Sequence, residues 1–246
     1  MNRTKRQARS HWWLMPCLLL FDAASVIALS PTTSSVFNHD SGWPPPCDPV
    51  VLFTYFDNVT PPALPPGWSS TTWVTSNSGL PGPPADTPPN AAFVDDPTTI
   101  SDKQLISPNI PFRGGGTVQV FFRNNFNLQE GFDGGVLEVS FDNGLTFQDI
   151  LTAGGTFIDG GYNGSISTCC GNPLAGRQAW TGNSGGFIQT TANLPVRFGN
   201  GVMLRWRMGS DNGGSGEGWR VDSVAVALPC PSPPRSRPRP TPAPRP

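Results

Sequence analysis

Val202-Met203-Leu204-Arg205-Trp206-Arg207-Met208 alternates apolar residues with arginines. A helix would mix these two kinds of side chain on every face. A strand separates them, with Val202, Leu204, Trp206 and Met208 on one side and Arg205 and Arg207 on the other. The same period of two recurs elsewhere. Val118, Val120 and Phe122 share a face, as do Leu137, Val139 and Phe141, while Val224, Val226 and Leu228 alternate with Ala225 and Ala227. Val51-Leu52-Phe53-Thr54-Tyr55-Phe56 is rich in strand formers, and turn sequences such as Arg113-Gly114-Gly115-Gly116, Gly199-Asn200-Gly201 and Asn212-Gly213-Gly214 separate such runs. The pattern predicts an all-β, antiparallel β-sandwich. No repeat of constant period is present, which argues against a propeller or solenoid.

Composition agrees. The 246 residues include 28 glycines, 29 prolines and only two lysines, which excludes a helical bundle or coiled coil. The two histidines, His11 and His39, precede the strand region, which excludes a histidine-ligated zinc centre or a Ser-His-Asp triad there. Between Cys47 and Cys230 there are 15 acids and 8 bases, a net of −7. An acidic core argues against nucleic acid as a partner and is compatible with a cation such as calcium.

The ends read differently from the middle. Residues 1–30 begin with Arg3, Lys5, Arg6 and Arg9, continue with an apolar run from Trp12 to Phe21, and reach small residues at Ala23-Ala24-Ser25 and Val26-Ile27-Ala28. This is the pattern of a secretory signal peptide, with an uncleaved anchor and a misplaced start as alternatives; the run is too short for a membrane span. Cleavage would leave a secreted or cell-surface protein without a transmembrane anchor. Residues 31–46 form a Ser/Thr/Pro linker, residues 47–230 the folded domain, and residues 231–246 a disordered Pro/Arg-rich tail. The tail reads as a spacer, or as a basic arm for an anionic envelope polymer.

Removal of the signal leaves Cys47, Cys169, Cys170 and Cys230, which allow three connectivities. One joins Cys47 to Cys230 across neighbouring terminal strands, with Cys169 and Cys170 as a vicinal pair or as thiols. The others send each terminal cysteine to the Cys169-Cys170 loop. Zinc lacks its usual ligand spacing.

Ser140-Phe141-Asp142-Asn143-Gly144-Leu145-Thr146-Phe147 fits an Asp-box. Sialidases carry several copies, and the single copy here reads as a hairpin turn built on Asn143-Gly144. Asn58-Val59-Thr60 and Asn163-Gly164-Ser165 are glycosylation sequons.

A longer series runs through Phe56-Asp57-Asn58, Phe132-Asp133-Gly134-Gly135-Val136-Leu137-Glu138, Ala179-Trp180-Thr181-Gly182, Leu204-Arg205-Trp206-Arg207 and Gly218-Trp219-Arg220-Val221-Asp222-Ser223. Its order resembles the MAM-like jelly-roll modules of secreted bacterial proteins, including immune-inhibitor-A accessory, choice-of-anchor and cleaved-adhesin types. The resemblance covers about residues 50–228. It implies a jelly roll that is extracellular, non-catalytic and calcium-stabilised. It also implies a structural calcium at Asp57 and Asp222, where the first and last strands meet, although Ser223 stands where relatives carry a second acid. Glu138 and Arg205 match the pattern on faces opposite the apolar ones and are expected to form a cross-strand ion pair.

These readings imply a secreted, non-enzymatic binding or adhesion module whose partner is a surface glycan or protein. Trp73, Tyr162 and Trp180 are its candidate sugar platforms, and burial in the core is the competing fate of such aromatics. A structural envelope-matrix protein held by its tail is the alternative. A jelly-roll glycoside hydrolase is a third reading; the chain has only Glu130, Glu138 and Glu217 as glutamates.

Overall fold

The computed structural model describes residues 50–112, 116–196 and 201–228. The expected signal, linker and tail, Cys47 and Cys230 lie outside them. The described residues form strands and loops without an α-helix: β1 (Val50–Thr54), β2 (Ser69–Ser70), β3 (Val74–Ser76), β4 (Ala91–Val94), β5 (Ser101–Ile106), β6 (Gly116–Asn127), β7 (Gly134–Ser140), β8 (Gln148–Asp149), β9 (Thr156–Asp159), β10 (Gly164–Ser165), β11 (Gln178–Ala179), β12 (Ile188–Val196), β13 (Met203–Ser210) and β14 (Gly218–Ala227).

A seven-stranded sheet has the order β3-β4-β14-β6-β12-β9, with β1 also on β14. A five-stranded sheet has the order β2-β5-β13-β7-β8, and β10 and β11 form a separate ribbon. Pairing is antiparallel throughout, and strands adjacent in space, such as β5 and β13, are far apart in sequence. This is a jelly-roll β-sandwich.

Alternation explains the core. Leu204, Trp206 and Met208 of β13, Leu137 and Val139 of β7, and Val118, Val120 and Phe122 of β6 are all fully buried between the sheets. Removing side chains of this size from water contributes roughly 1.5–3 kcal/mol each. Rings continue across the interior in edge and tilted contacts: Trp68 to Trp206 at 5.7 Å, Trp206 to Phe122 at 5.5 Å, Phe122 to Trp180 at 5.7 Å, and Trp180 to Trp219 at 5.7 Å. Leu228, placed with Val224 and Val226 by alternation, is instead 38% exposed because β14 ends at Ala227.

β14 departs from simple alternation. Trp219 and Val221 point inward, and so do Val224 and Val226, three residues further on. The register against β6 shifts between Asp222 and Ala225, and Ser223 holds φ +50°. Ser223 is thus the extra residue of a β-bulge, which changes the parity of the strand and keeps valines inside on both sides. β4 pairs with the first half of β14 and β1 with the second, so that Phe53 faces Ala225.

Glycine is required at 135. A Cβ there would lie 2.5 Å from the Trp219 ring, itself packed against Trp73 and Trp180. Gly135→Ala is expected to lower stability by about 1–3 kcal/mol through overpacking, read as a lower thermal midpoint. An unchanged midpoint would mean that the Trp219 ring can move aside.

Candidate ligand-binding face

The outer face of the five-stranded sheet follows from the same alternation. Residues that flank the buried positions point away from the core: Asp102 and Gln104 on β5, Arg205 and Arg207 on β13, Glu138 on β7, with Asp149 on β8. β13 pairs with β7 in a register that sets Arg205 opposite Glu138, and with β5 in one that sets Arg207 opposite Gln104. β8 sets Asp149 beside Glu138.

One end of this face is covered. Val136 packs with Ile166, Leu174 and Ala179 of the 160–181 segment in a small second core. Asn172 pins that segment by donating to the carbonyls of Phe132 and Gly209 at 2.6 and 2.9 Å. The segment carries Arg177 over the sheet, where its two terminal nitrogens clamp Glu138 at 2.5 Å and Asp149 at 2.7 Å. Cys169 and Cys170 are bonded to each other on its exposed tip, and Cys170 holds φ +72°.

The result is a connected polar array. Arg205 binds Glu138 through Nε at 2.6 Å and through Nη2 at 2.5 Å, and donates to Gln104 at 3.1 Å. Arg207 binds Asp102 in a bidentate fork at 2.8 and 2.7 Å and approaches Glu138 at 3.5 Å. The Arg205 guanidinium lies over the half-buried Phe147 ring at 4.1 Å. Burial pushes the Asp102 carboxyl up, but the hydrogen bonds and charge of Arg207 outweigh it and hold Asp102 below the usual carboxylate range. The Glu138 side chain is 3% exposed, whereas those of Arg177, Arg205 and Arg207 are 15–25% exposed. The carboxylate is therefore the hidden centre, and the guanidinium edges are what a ligand would meet. Three arginines and three acids leave the array with no formal net charge.

The sequence singled out Glu138 and Arg205, and the structure places them in direct contact. It also adds Arg177, Arg207, Asp102, Asp149, Gln104 and Phe147. The alternation of Arg205 with Arg207 was a visible signal for one of these. Arg177 and Asp149 lie in a loop and in a two-residue strand, where periodicity has nothing to report.

The aromatic platforms are corrected. Trp73 and Trp180 are 3% and 0% exposed, and buried indoles have no face to offer a sugar. Trp180 donates instead to the Gly160 carbonyl at 2.9 Å. Tyr162 packs on Trp180 at 4.7 Å and spends its hydroxyl on Leu137 and Asp149. All three are packing residues that hold the 160–181 segment or the core.

The calcium site expected at Asp57 and Asp222 meets a different chemistry. Asp222 accepts the amides of Asp86, Thr87 and Ser223 at 2.8, 2.9 and 2.6 Å, and the Thr87 hydroxyl stands at 3.3 Å. Asp57 accepts the Asn90 amide at 2.8 Å. At Asp222 these hydrogens aim at the lone pairs a cation would use, so the donor set there does not fit a calcium shell. Burial pushes the Asp222 carboxyl up to about 7, while the amides of Thr87, Ser223 and Asp86 pull it down. Both residues clasp the 86–90 segment against the outer face of the seven-stranded sheet. Among the described residues no three Asp, Glu, His or Cys side chains converge as a ready metal shell.

The Asp-box forms the β7–β8 hairpin. Asn143 and Gly144 hold φ +59° and +85°, and Asp142 accepts the Thr146 amide at 2.9 Å. The hydrogen bonds of Thr146 and Ser140 hold the Asp142 carboxyl down at about 2. The motif is thus a turn that delivers Phe147 and β8 to the edge of the array.

No family model matches this chain, and no curated protein matches it. Several solved structures share part of its architecture. The CBM22-1 xylan-binding domain of Xyn10C from Paenibacillus barcinonensis aligns at 9% identity and a TM-score of 0.41, over 73% of this chain and 94% of that one. The K1 cleaved adhesin domain of Lys-gingipain from Porphyromonas gingivalis aligns at 12% and 0.39, over 72% and 97%. The TmCBM61 structure with β-1,4-galactotriose aligns at 13% and 0.37, over 65% and 86%. At these scores the likeness assigns neither a ligand nor an activity to this chain.

Proposed function

We propose that this chain is a secreted, non-enzymatic module that binds a neutral glycan across the outer face of its five-stranded sheet. The observation that carries this reading is the charge-balanced array of planar guanidinium and carboxylate groups. Vicinal sugar hydroxyls both donate and accept, so they match a surface that offers both functions edge-on. A polyanion would meet the more exposed Asp102 and Asp149 beside the arginines, whose charge Glu138 already balances from beneath, and would gain little net attraction. Secretion belongs to the same reading and is supported by the basic and apolar pattern of residues 1–30. Hydrolysis is disfavoured by geometry: Arg177 pairs with both Glu138 and Asp149, and the Glu138 side chain is only 3% exposed, so the two carboxylates do not stand open on either side of a bound sugar.

The test is retention of the full-length chain by a panel of neutral and anionic polysaccharides, with Arg207→Ala beside it. Binding to a neutral glycan should change little between 50 and 300 mM salt, unlike contacts that release counterions. Arg207→Ala frees Asp102 and should weaken binding about tenfold or more, equivalent to about 1.4 kcal/mol, while leaving the melt nearly unchanged because both partners are partly exposed. Retention only by anionic polymers, or neutral binding untouched by Arg207→Ala, would sink the assignment. Sugar release from the panel would overturn the non-enzymatic part.

A further inference from the structure

We propose a calcium site at one end of the sandwich, formed by Asp96, Asp133 and Gln129 beneath the Asp211–Gly216 turn. These residues come from both sheets: Asp96 follows β4 and Gln129 follows β6, whereas Asp133 precedes β7. Asp133 is fully buried and Asp96 is 6% exposed. Each carboxylate has one oxygen accounted for. Asp133 Oδ1 accepts the Asp211 amide at 2.7 Å, and Asp96 Oδ2 accepts the amides of Gly216 and Gln129 at 2.7 and 3.2 Å. The other oxygens, Asp96 Oδ1 and Asp133 Oδ2, are buried without a hydrogen-bond donor among the described residues, and so is Gln129 Oε1.

The two carboxyls lie within hydrogen-bonding reach of each other. Gln129 belongs to the same knot, because its carbonyl accepts the Asp133 amide at 2.9 Å. Gln129 Oε1 and Asp211 Oδ1 both come within 3.5 Å of the position a Cβ on Gly213 would take, so a side chain there would crowd them. The nearby ammonium of Lys103 is committed to the Asp95 carboxylate and carbonyl, at 2.6 and 3.0 Å. Asp211 adds negative charge close by, and its Oδ1 is taken by the Gly213 amide at 2.6 Å.

Unpaired buried acceptors are costly, and buried carboxylates need a positive partner or a proton. The unpartnered atoms are all oxygens, from two carboxylates and one amide, which is the donor chemistry of a hard cation. The donors come from irregular loops and would be completed by carbonyls or water, which suits calcium better than the strict octahedron of magnesium. A cation here would tie the two sheets together. It would also brace the base of the segment that carries Arg177, since Asn172 of that segment bonds the carbonyls of Phe132, next to Asp133, and Gly209, two residues before Asp211.

The experiment is a thermal melt of the full-length chain after chelation, with calcium or magnesium returned, for wild type, Asp133→Asn, Gln129→Ala and Asp57→Asn. Calcium at a hundredfold excess over its Kd should raise the wild-type midpoint by about 5–10 °C, with a much smaller effect of magnesium. Asp133→Asn should abolish that shift, and Asp57→Asn should keep it. Terbium luminescence displaced by calcium gives a second readout. Gln129→Ala removes a half-buried side chain that the fold can spare, and should weaken displacement about tenfold even if Asp133→Asn does not fold. The proposal is overturned if calcium acts no better than magnesium, or if Gln129→Ala displaces terbium as wild type does. It is equally overturned if Asp133→Asn stabilises the chelated protein and wild type ignores calcium, because the two carboxyls then share a proton instead.

Discussion

Replacing Glu138 by glutamine is expected to lower stability by about 3 kcal/mol, near the bottom of the range for breaking a buried ion pair. One buried carboxylate serves Arg177 and Arg205 directly and Arg207 at longer range. The amide keeps the shape and one acceptor, but it offers nitrogen hydrogens to guanidiniums that already donate. The arginines are partly exposed and can turn to water, which limits the loss. For a domain of this size the thermal midpoint should fall by about 6–12 °C. Arg205→Met should cost less, since Glu138 keeps Arg177. A fall of under about 2 °C for Glu138→Gln would show that rehydration fully compensates and that the array is held by the sheets alone.

Arg220→Met is expected to have a comparable effect by a different route. Arg220 is fully buried with no carboxylate partner among the described residues; its nitrogens donate to the carbonyls of Ser78, Leu80, Pro81 and Pro84 at 2.7, 3.4, 2.9 and 3.0 Å. Burial pulls its pKa down to about 10, so it still carries its charge at neutral pH. Proline supplies no amide hydrogen, so a run rich in proline has carbonyls to satisfy and few donors of its own. The guanidinium supplies those donors in a planar fork. Methionine fills similar space and leaves the carbonyls to find water, at about 1–3 kcal/mol for each that cannot. The segment can peel outward, so the expected total is about 3 kcal/mol, accompanied by new protease cleavage within residues 78–87. Lysine should rescue only in part, because one ammonium cannot span the same acceptors. A melt and a cleavage pattern equal to wild type would mean that Asn125, which donates to the Gly82 carbonyl at 3.1 Å, and Asp222, which accepts the Asp86 and Thr87 amides, hold the segment unaided.

Much of the fold was legible because alternation is local. The faces of β13, β7 and β6 could be read from Leu204, Trp206, Leu137, Val139, Val118 and Val120 alone, and the outward position of Glu138 and Arg205 came with them. β12 was missed, since Ile188-Gln189-Thr190-Thr191-Ala192-Asn193-Leu194 mixes small polar residues into its buried side and ends in Pro195-Val196. The polar array was half legible. Arg177 reaches it through a covering loop whose path depends on Asn172, Ile166 and Leu174, and no spacing in the sequence encodes that path. The aromatic reading failed because a tryptophan that stacks on a sugar and one that fills a core follow the same spacing. What separates Trp180 from a surface ring is the chain folded over it.

The bulge at Ser223 bears on how such a domain can diverge. Deleting that one residue would leave Trp219, Val221, Val224 and Val226 in unbroken alternation, all still facing inward. The interior is therefore indifferent to its presence. What the extra residue changes is outside: beside Asp222, which holds the amides of Asp86 and Thr87, it adds its own amide and hydroxyl to the clasp. A single codon gained or lost here would rewrite an external loop without disturbing the packed rings beneath. The ancestry of the core and the history of its decoration can thus be uncoupled, and two descendants with the same interior could carry unrelated surfaces on this sheet.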